Sequence, residues 1–549
     1  MPPIALVLPV ALPLAAGAAA VLANRLGDTA CRAIAAAGVW GAAAAVLGLW
    51  LPLRSTLEIS LGTLGFGVTL GLRIDAVEVA FSLAIALPVA VLLTVQRREW
   101  RESAVIALAT AAALLAVEAA DVVLTSVAGC TAATLVVIAL GIEQLDAPRP
   151  RWAILIAAWL ALAWAGVQLQ VGGGTAGYAV VPVSALTTPV FVLIAFAAVV
   201  GSGLYPWRGW ASELWSRESL RTAAPAVTLL QPLGLYLLFR TYEMGNGHYP
   251  QAVLNIAVAA WGVLVAFAAA VRAQAAPTRR AYIAEVLPSL AGFAFLFAAV
   301  GSKLGLVAAL IVLASGSLLV ISLPLVAGRS GAPALLVTSA GVGVPAGLAF
   351  GGLLIGLVAA FETGGAIGLI GLAGVATWLL AAAAAARSIR LPSGWTGTVA
   401  DSRPVLAAAL AAVALVAGPA LGVVYAAGFA IAGLVLPSSG AAPALTTVAT
   451  VSTVLPAAVL LGPLLVISAL ALGFSRPMPA TPRAELSPPL FMLAGARRLY
   501  RGWAMVRSVS MPDQYRSMFN ARALEGAVAA GRPVLWLAAV LALCIAVTR

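Results

Sequence analysis

The chain is 549 residues long, 63% hydrophobic and only 9% charged, with a mean hydropathy of +1.07. Soluble domains carry about 25% charged residues, so a water-soluble enzyme or binding module is excluded. The net charge of +12 marks loop arginines rather than nucleic-acid binding in such a setting. Three cysteines without CxxC spacing and a single histidine, His248 in a polar loop, argue against zinc, iron–sulfur and haem sites.

Apolar runs of about 20 residues recur from end to end, each long enough for a hydrocarbon core of about 30 Å. The short alternating segments of a membrane β-barrel are not seen. The predicted fold is an all-α polytopic membrane protein of about sixteen transmembrane helices. They fall near 4–24, 33–52, 73–96, 102–119, 121–142, 152–171, 184–205, 222–240, 252–272, 283–301, 304–328, 334–360, 365–386, 404–425, 449–474 and 531–547. The apolar stretch 426–437 either extends its neighbour or forms a re-entrant piece. The first run lacks a basic n-region and a cleavage site, and reads as a retained span.

Arginine placement orients this ladder. With the N-terminus outside, the inner loops hold clusters such as Arg97, Arg98 and Arg101, or Arg272, Arg279 and Arg280. The outer side up to residue 403 holds only Arg54, Arg73, Arg240 and Lys303. That bias predicts both termini outside. Residues 475–530 carry eight arginines, with Pro488, Pro489 and Pro512 as helix breakers. Leu493, Leu499, Tyr500, Trp503 and Val506 recur among them at helical spacing. This is expected to be an amphipathic helix on the cytoplasmic face, lying on anionic lipid or docked on a partner subunit.

Three stretches carry a resemblance. Leu72-Arg73-Ile74-Asp75 opens the third helix, Ala120-Asp121-Val122-Val123-Leu124 opens the fifth, and Tyr205-Pro206-Trp207-Arg208-Gly209-Trp210-Ala211-Ser212-Glu213 follows the seventh. Gly234-Leu235-Tyr236-Leu237-Leu238-Phe239-Arg240, Thr278-Arg279-Arg280 and Gly343-Val344-Pro345 with Phe350 continue the series. Together they resemble the proton-conducting, antiporter-like membrane subunits of respiratory complex I, Mrp-type antiporters and group 4 membrane-bound hydrogenases, over roughly residues 70–360. The resemblance implies N-terminal spans (1–72), an antiporter-like core (73–360), C-terminal spans (361–474), the basic segment (475–530) and a final helix (531–549). It also implies a bacterial-type inner membrane.

The family, as the resemblance implies, moves protons through buried glutamate, lysine and histidine. Counting along the motifs, the glutamate position is Cys130, the first lysine position Gly201, the histidine position Ala226 and the terminal lysine or glutamate position Leu353. The helix from Leu304 to Gly328 carries no charge. A charge in hydrocarbon persists only when paired, hydrated and useful, so its absence here bears directly on conduction.

Other residues read more plainly. Glu118 and Asp121 are expected to be solvated loop carboxylates, and Arg73, Asp75 and Glu78 an interfacial ion-paired group. Glu213 and Arg217 are spaced for a helix-surface pair. Pro206 is expected to interrupt its helix. No Ser/His/Asp or Cys/His nucleophile set, phosphate loop, metal site or cofactor site follows from the sequence.

The sequence therefore predicts a structural or coupling membrane subunit of a larger redox or transport complex, without a redox centre of its own. Its expected partners are other integral subunits and a peripheral redox or transport module. The alternative is an active proton- or cation-coupled transporter using Thr125, Ser126, Ser202, Ser289, Ser315 and Ser317 in place of lysines. A third reading, an unrelated transporter, has the spaced motifs against it.

Overall fold

The computed structural model describes residues 3–392 apart from 51–55, 64–67, 97, 142–149, 206, 208–209, 212–213, 216–219, 248, 327–347 and 389–390. The expected helices 404–425, 449–474 and 531–547, and the basic segment 475–530, lie outside the described residues.

Among the described residues are thirteen α-helices and one β-hairpin. In chain order they are α1 (Leu8–Leu22), α2 (Asp28–Trp50), β1 (Leu57–Thr63), β2 (Thr69–Ile74), α3 (Ala76–Val95), α4 (Trp100–Glu118), α5 (Val122–Gly141) and α6 (Pro150–Gly173). There follow α7 (Thr188–Gly201), α8 (Leu220–Met244), α9 (Ala252–Ala275), α10 (Arg279–Ala299), α11 (Lys303–Val326), α12 (Leu348–Thr363) and α13 (Gly365–Ser388). Ten helices are long and apolar enough to cross a membrane. The protein is thus a multi-pass, essentially all-α membrane protein, corrected by one hairpin that the sequence reading missed.

Successive helices run antiparallel, which sorts the bundle into two ends. One holds the hairpin, the start of α3 and the ends of α4 and α8. The other holds Arg32, Arg98, Arg272 and Arg279. At this arginine end the Asp28 carboxylate accepts from the Trp100 amide at 2.9 Å, and Arg32 donates to the Gln96 carbonyl at 3.3 Å. The predicted segregation of arginines is therefore present in space. Helix α8 packs on α3, α4, α5, α7, α10 and α11, and 94% of its most apolar window is buried, making it the axis of the bundle.

The hairpin anchors a small sheet-like layer. Leu57 pairs with Ile74 and Thr63 with Thr69, antiparallel. The Ala120 amide then donates to the Gly71 carbonyl (3.0 Å), and the Tyr178 amide to the Ala120 carbonyl (3.0 Å). The linkers 119–121 and 176–178 thus extend the sheet and satisfy their own backbone polar groups. Unpaired, those groups would be costly at a membrane boundary.

Small residues set the helix spacing, as is usual where lipid supplies no hydrophobic drive between helices. Gly262 of α9 faces Gly292 of α10, and a Cβ on either would come within 2.7 Å of the opposing backbone. Gly234 of α8 sits so close to α7 that a Cβ would collide with the Ser202 hydroxyl and the Ala198 carbonyl. Gly234→Ala is therefore expected to lower stability by about 1–3 kcal/mol through overpacking. Gly48→Ala, where nothing lies within 4 Å, should be neutral or stabilising. Thermal unfolding of the two detergent-solubilised variants checks this contrast.

Candidate functional site

The largest group of buried charges sits at the hairpin end, where β2, α3 and α8 meet. Asp75 is the N-cap of α3. Its Oδ1 accepts from the Val77 amide (2.7 Å), and Glu78 Oε2 accepts from the Asp75 amide (2.8 Å). This reciprocal capping box starts the helix at Ala76 rather than at Arg73, which belongs to β2.

Arg240, near the end of α8, fills the space above that cap. Its Nη1 and Nη2 donate to the two Asp75 carboxylate oxygens at 3.1 and 3.3 Å, and its Nε donates to the Tyr236 hydroxyl at 3.0 Å. Glu78 and Glu243 take the remaining contacts. The guanidinium thus makes four hydrogen bonds, spread over Asp75, Glu243 and Tyr236, with Glu78 beside it as an ion-pair partner, a spread of donors that arginine provides and lysine lacks. The Tyr236 hydroxyl passes its own proton to the Val117 carbonyl. The rings of Tyr236 and Tyr178 flank the cation, with centroids 5.2 and 5.9 Å from it. Arg73 pairs with Asp75 at 3.1 Å and with Glu243. Burial works against the Arg73 charge, but Glu243 and Asp75 outweigh it and hold its pKa above the ordinary value.

Arg73, Asp75 and Glu78 form an ion-paired group, and the group is buried, with Arg240 of α8 at its centre. One expectation is corrected here. Glu118 and Asp121 are not solvated; both are fully buried beneath the sheet-like layer. The Ser82 hydroxyl donates to Glu118 Oε1 at 3.1 Å. Asp121 accepts from the Val123 amide at 2.7 Å and caps α5. Burial raises the Asp121 pKa, against the opposing pull of the Val123, Thr69 and Leu124 amides.

The aromatic motif lies towards the other end. Helix α7 has 14 residues, about 21 Å, and stops short of a full crossing. The break was expected at Pro206. It falls earlier: the helix ends at Gly201 and the chain turns through Gly203 at φ +64°. Trp210 Nε1 donates to the Val200 carbonyl (2.8 Å) and closes the helix end. Its ring lies 5.8 Å from Trp152, Trp207 meets Phe196 edge-on at 5.1 Å, and Arg272 lies over Tyr205 at 5.5 Å. Trp210 is a buried plug for the broken helix, and irregular backbone is tolerated in a membrane where protein buries it. Pro206 and Glu213 lie outside the described residues.

The Arg279 amide donates to the Pro392 carbonyl at 2.8 Å and its Nη2 to the Leu391 carbonyl at 3.3 Å, tying α10 to the end of α13. Arg280 donates to the Trp215 carbonyl. Both thus hold helix ends.

The four positions matched to a proton path are uncharged and packed. Cys130 is half-buried, whereas Gly201, Ala226 and Leu353 are buried. The Trp159 indole of α6 covers Gly129, the residue before Cys130, and lies 3.8 Å from where a Gly201 Cβ would be. Ala226 on α8 and Leu353 on α12 are separate from this pair. A small, mostly apolar cleft of about 40 Å³ opens among α8, α10 and α11, with Ser202, Thr228, Gln231 and Ser317 among its lining residues. Among the described residues, no group of three histidine, cysteine or acidic side chains could hold a metal ion.

Removing Arg240 leaves Asp75, Glu78 and Glu243 sharing Arg73, which pairs with Asp75 and Glu243, and takes the ion-pair partner from Glu78. Arg240→Met is therefore expected to cost about 3–5 kcal/mol, the usual penalty for breaking a buried pair. Glu243→Gln, at a carboxylate 18% exposed, should cost less. The melting temperatures of the two variants in detergent rank them.

Three solved structures share this fold. A chain of the Mrp complex from Dietzia sp. DQ12-45-1b aligns over 99% of this chain and 63% of its own, with TM-score 0.69 and 21% identity. A chain of respiratory complex I from Thermus thermophilus with bound NADH aligns over 78% and 99%, with TM-score 0.64 and 21% identity. A chain of the membrane-bound sulfane sulfur reductase, an archaeal respiratory membrane complex, aligns over 99% and 100%, with TM-score 0.68 and 16% identity. The chain spans 63% of the length of the Mrp chain it matches. No family model and no curated protein matches it. The protein is a polytopic membrane protein that shares its fold with chains of the Mrp complex, respiratory complex I and the membrane-bound sulfane sulfur reductase.

Proposed function

We propose that this chain is an integral subunit of a multi-subunit respiratory or transport complex, and that it seals and couples neighbouring subunits without a lysine–glutamate proton path. One observation carries the reading. Among the described residues, every buried charged side chain lies within about one turn of a helix end. The mid-depth of the bundle holds glycine, serine, threonine and tryptophan instead. Among the described residues, no buried charged side chain stands at mid-depth to serve a relay across the membrane plane.

The same reading extends to about sixteen spans with both termini outside. It places the basic segment 475–530 against anionic lipid or a partner, and adds a peripheral redox module beside the membrane arm. The shared fold supports the assembly, since each of the matching chains belongs to a complex.

Conduction through uncharged polar residues is the second reading, favoured by the cleft beside Ser202 and Gln231. Against it, the hydroxyls are committed to backbone carbonyls. Ser202 donates to Gln231 at 3.3 Å, Ser315 to Ile311 at 2.8 Å, and Ser126 to Trp159. Helical serines usually satisfy the backbone in this way.

Proton flux across vesicles containing the purified full chain tests the choice. The scaffold reading expects flux equal to protein-free vesicles under an imposed potential. Flux that falls on Ser202→Ala or Gln231→Leu would establish the second reading.

A further inference from the structure

We infer that Glu118 is a proton-binding site: the folded chain keeps this carboxyl as the neutral acid, beneath the layer that covers the Arg240 network. The inference stands on the surroundings of the carboxyl and does not depend on whether the chain conducts.

Glu118 is the last residue of α4 and is 0% exposed. Its backbone is held on both sides. The carbonyl of Val117, the residue before it, accepts from the Tyr236 hydroxyl, and Ala119, the residue after it, pairs antiparallel with Leu72 of β2. Its carboxyl meets one polar side chain, the Ser82 hydroxyl, 3.1 Å from Oε1. Oε2 has no hydrogen-bond partner among the described residues.

The charges nearby are spent elsewhere. Helix α4 packs against α1, α2, α3, α5, α8 and β2. On α3, Glu78 pairs with Arg240 and accepts from the Asp75 amide. On α8, Arg240 serves Asp75, Glu78 and Glu243, and Tyr242 stacks on Tyr249. Arg73 of β2 serves Asp75 and Glu243. Asp121, which caps α5, has amides on both oxygens, from Val123 at 2.7 Å and Thr69 at 3.4 Å. Tyr236 gives its proton to the Val117 carbonyl and Tyr178 to the Thr125 hydroxyl. Helix α1 carries no titratable side chain, and those of α2 (Asp28, Cys31 and Arg32) lie in its first turns at the arginine end. Asp75, Glu78, Asp121 and Glu243 thus each have amide or guanidinium donors, and among the described residues Glu118 has neither.

A buried carboxylate without a cation or amide donors gives up its charge by taking a proton. The neutral acid suits what surrounds it. A hydroxyl both donates and accepts, so Oε1 can give its proton to Ser82 Oγ. Oε2 is then left as a carbonyl-type oxygen, far less costly to bury unpaired than part of a charge.

Infrared spectra of the purified full-length chain in a maltoside detergent, which has no ester carbonyl, read the proton directly. At neutral pH the wild type should show the carbonyl stretch of a protonated carboxyl, and Glu118→Gln should lack it. Ser82→Ala should keep the band and move it to higher frequency, because a hydrogen bond is lost. Melting temperatures test the linkage. The amide of Glu118→Gln does not titrate, so its difference from wild type isolates this group. At about pH 4 the two should melt together. As the pH rises towards about 8, the unfolded wild type ionises while the folded one holds its proton, and the wild type should fall several degrees below the variant. If Glu118→Gln does not elute as one folded species, the Ser82→Ala shift decides. A wild-type spectrum without the band, a band that Ser82→Ala leaves unmoved, or a folded Glu118→Gln chain that melts below wild type at neutral pH overturns the inference. So does a melting temperature that sodium raises at fixed pH in the wild type and not in Glu118→Gln, since the carboxylate would then be a cation ligand.

Discussion

Arg240 is a permanent cation on the most enclosed helix of the bundle, and the hairpin end is arranged around keeping it there. A buried guanidinium is tolerated only with its N–H groups matched and its charge neutralised. Asp75, Glu78 and Glu243 supply the charge, and the Tyr236 hydroxyl accepts from Nε. Asp75 does this while capping α3, so one carboxylate starts a helix and anchors another. The hairpin and its extension through Ala120 and Tyr178 cover the network and keep water from competing for it. Loss of any one of these parts would expose an unmatched charge at a membrane boundary.

With charge confined to the two ends, the middle of the bundle is free to pack by shape. Gly262 against Gly292, Gly234 against α7, and Trp159 over Gly129 bring helices together at distances no larger side chain allows. The polar side chains in this region spend hydrogen bonds on carbonyls, as Thr228 does on Ala224 (2.8 Å). Helix α7 still breaks within the bundle, and Trp210 closes the break.

Much of this was legible in the sequence, and the failures have physical causes. Helix positions followed from apolar length alone, because a membrane demands it. The segregation of arginines was legible for the same reason. The hairpin was not: its strands are short, rich in glycine and threonine, and lie between two stronger helical signals. The pairing of Arg240 with Asp75 was not legible because the two are 165 residues apart, and proximity at that separation leaves no local trace. Glu118 and Asp121 read as loop residues since they border a short linker; what buries them is the strand-like pairing of that linker with residues 71 and 176–178. Pro206 was the obvious breaker, yet the turn through Gly203 precedes it.

The assembly claim is the one on which the functional account stands. Its most direct test is purification of the tagged native full-length protein in mild detergent, with mass spectrometry of everything that accompanies it. The account predicts a stoichiometric set of integral membrane subunits together with a peripheral module. A lone chain or a homo-oligomer would contradict it.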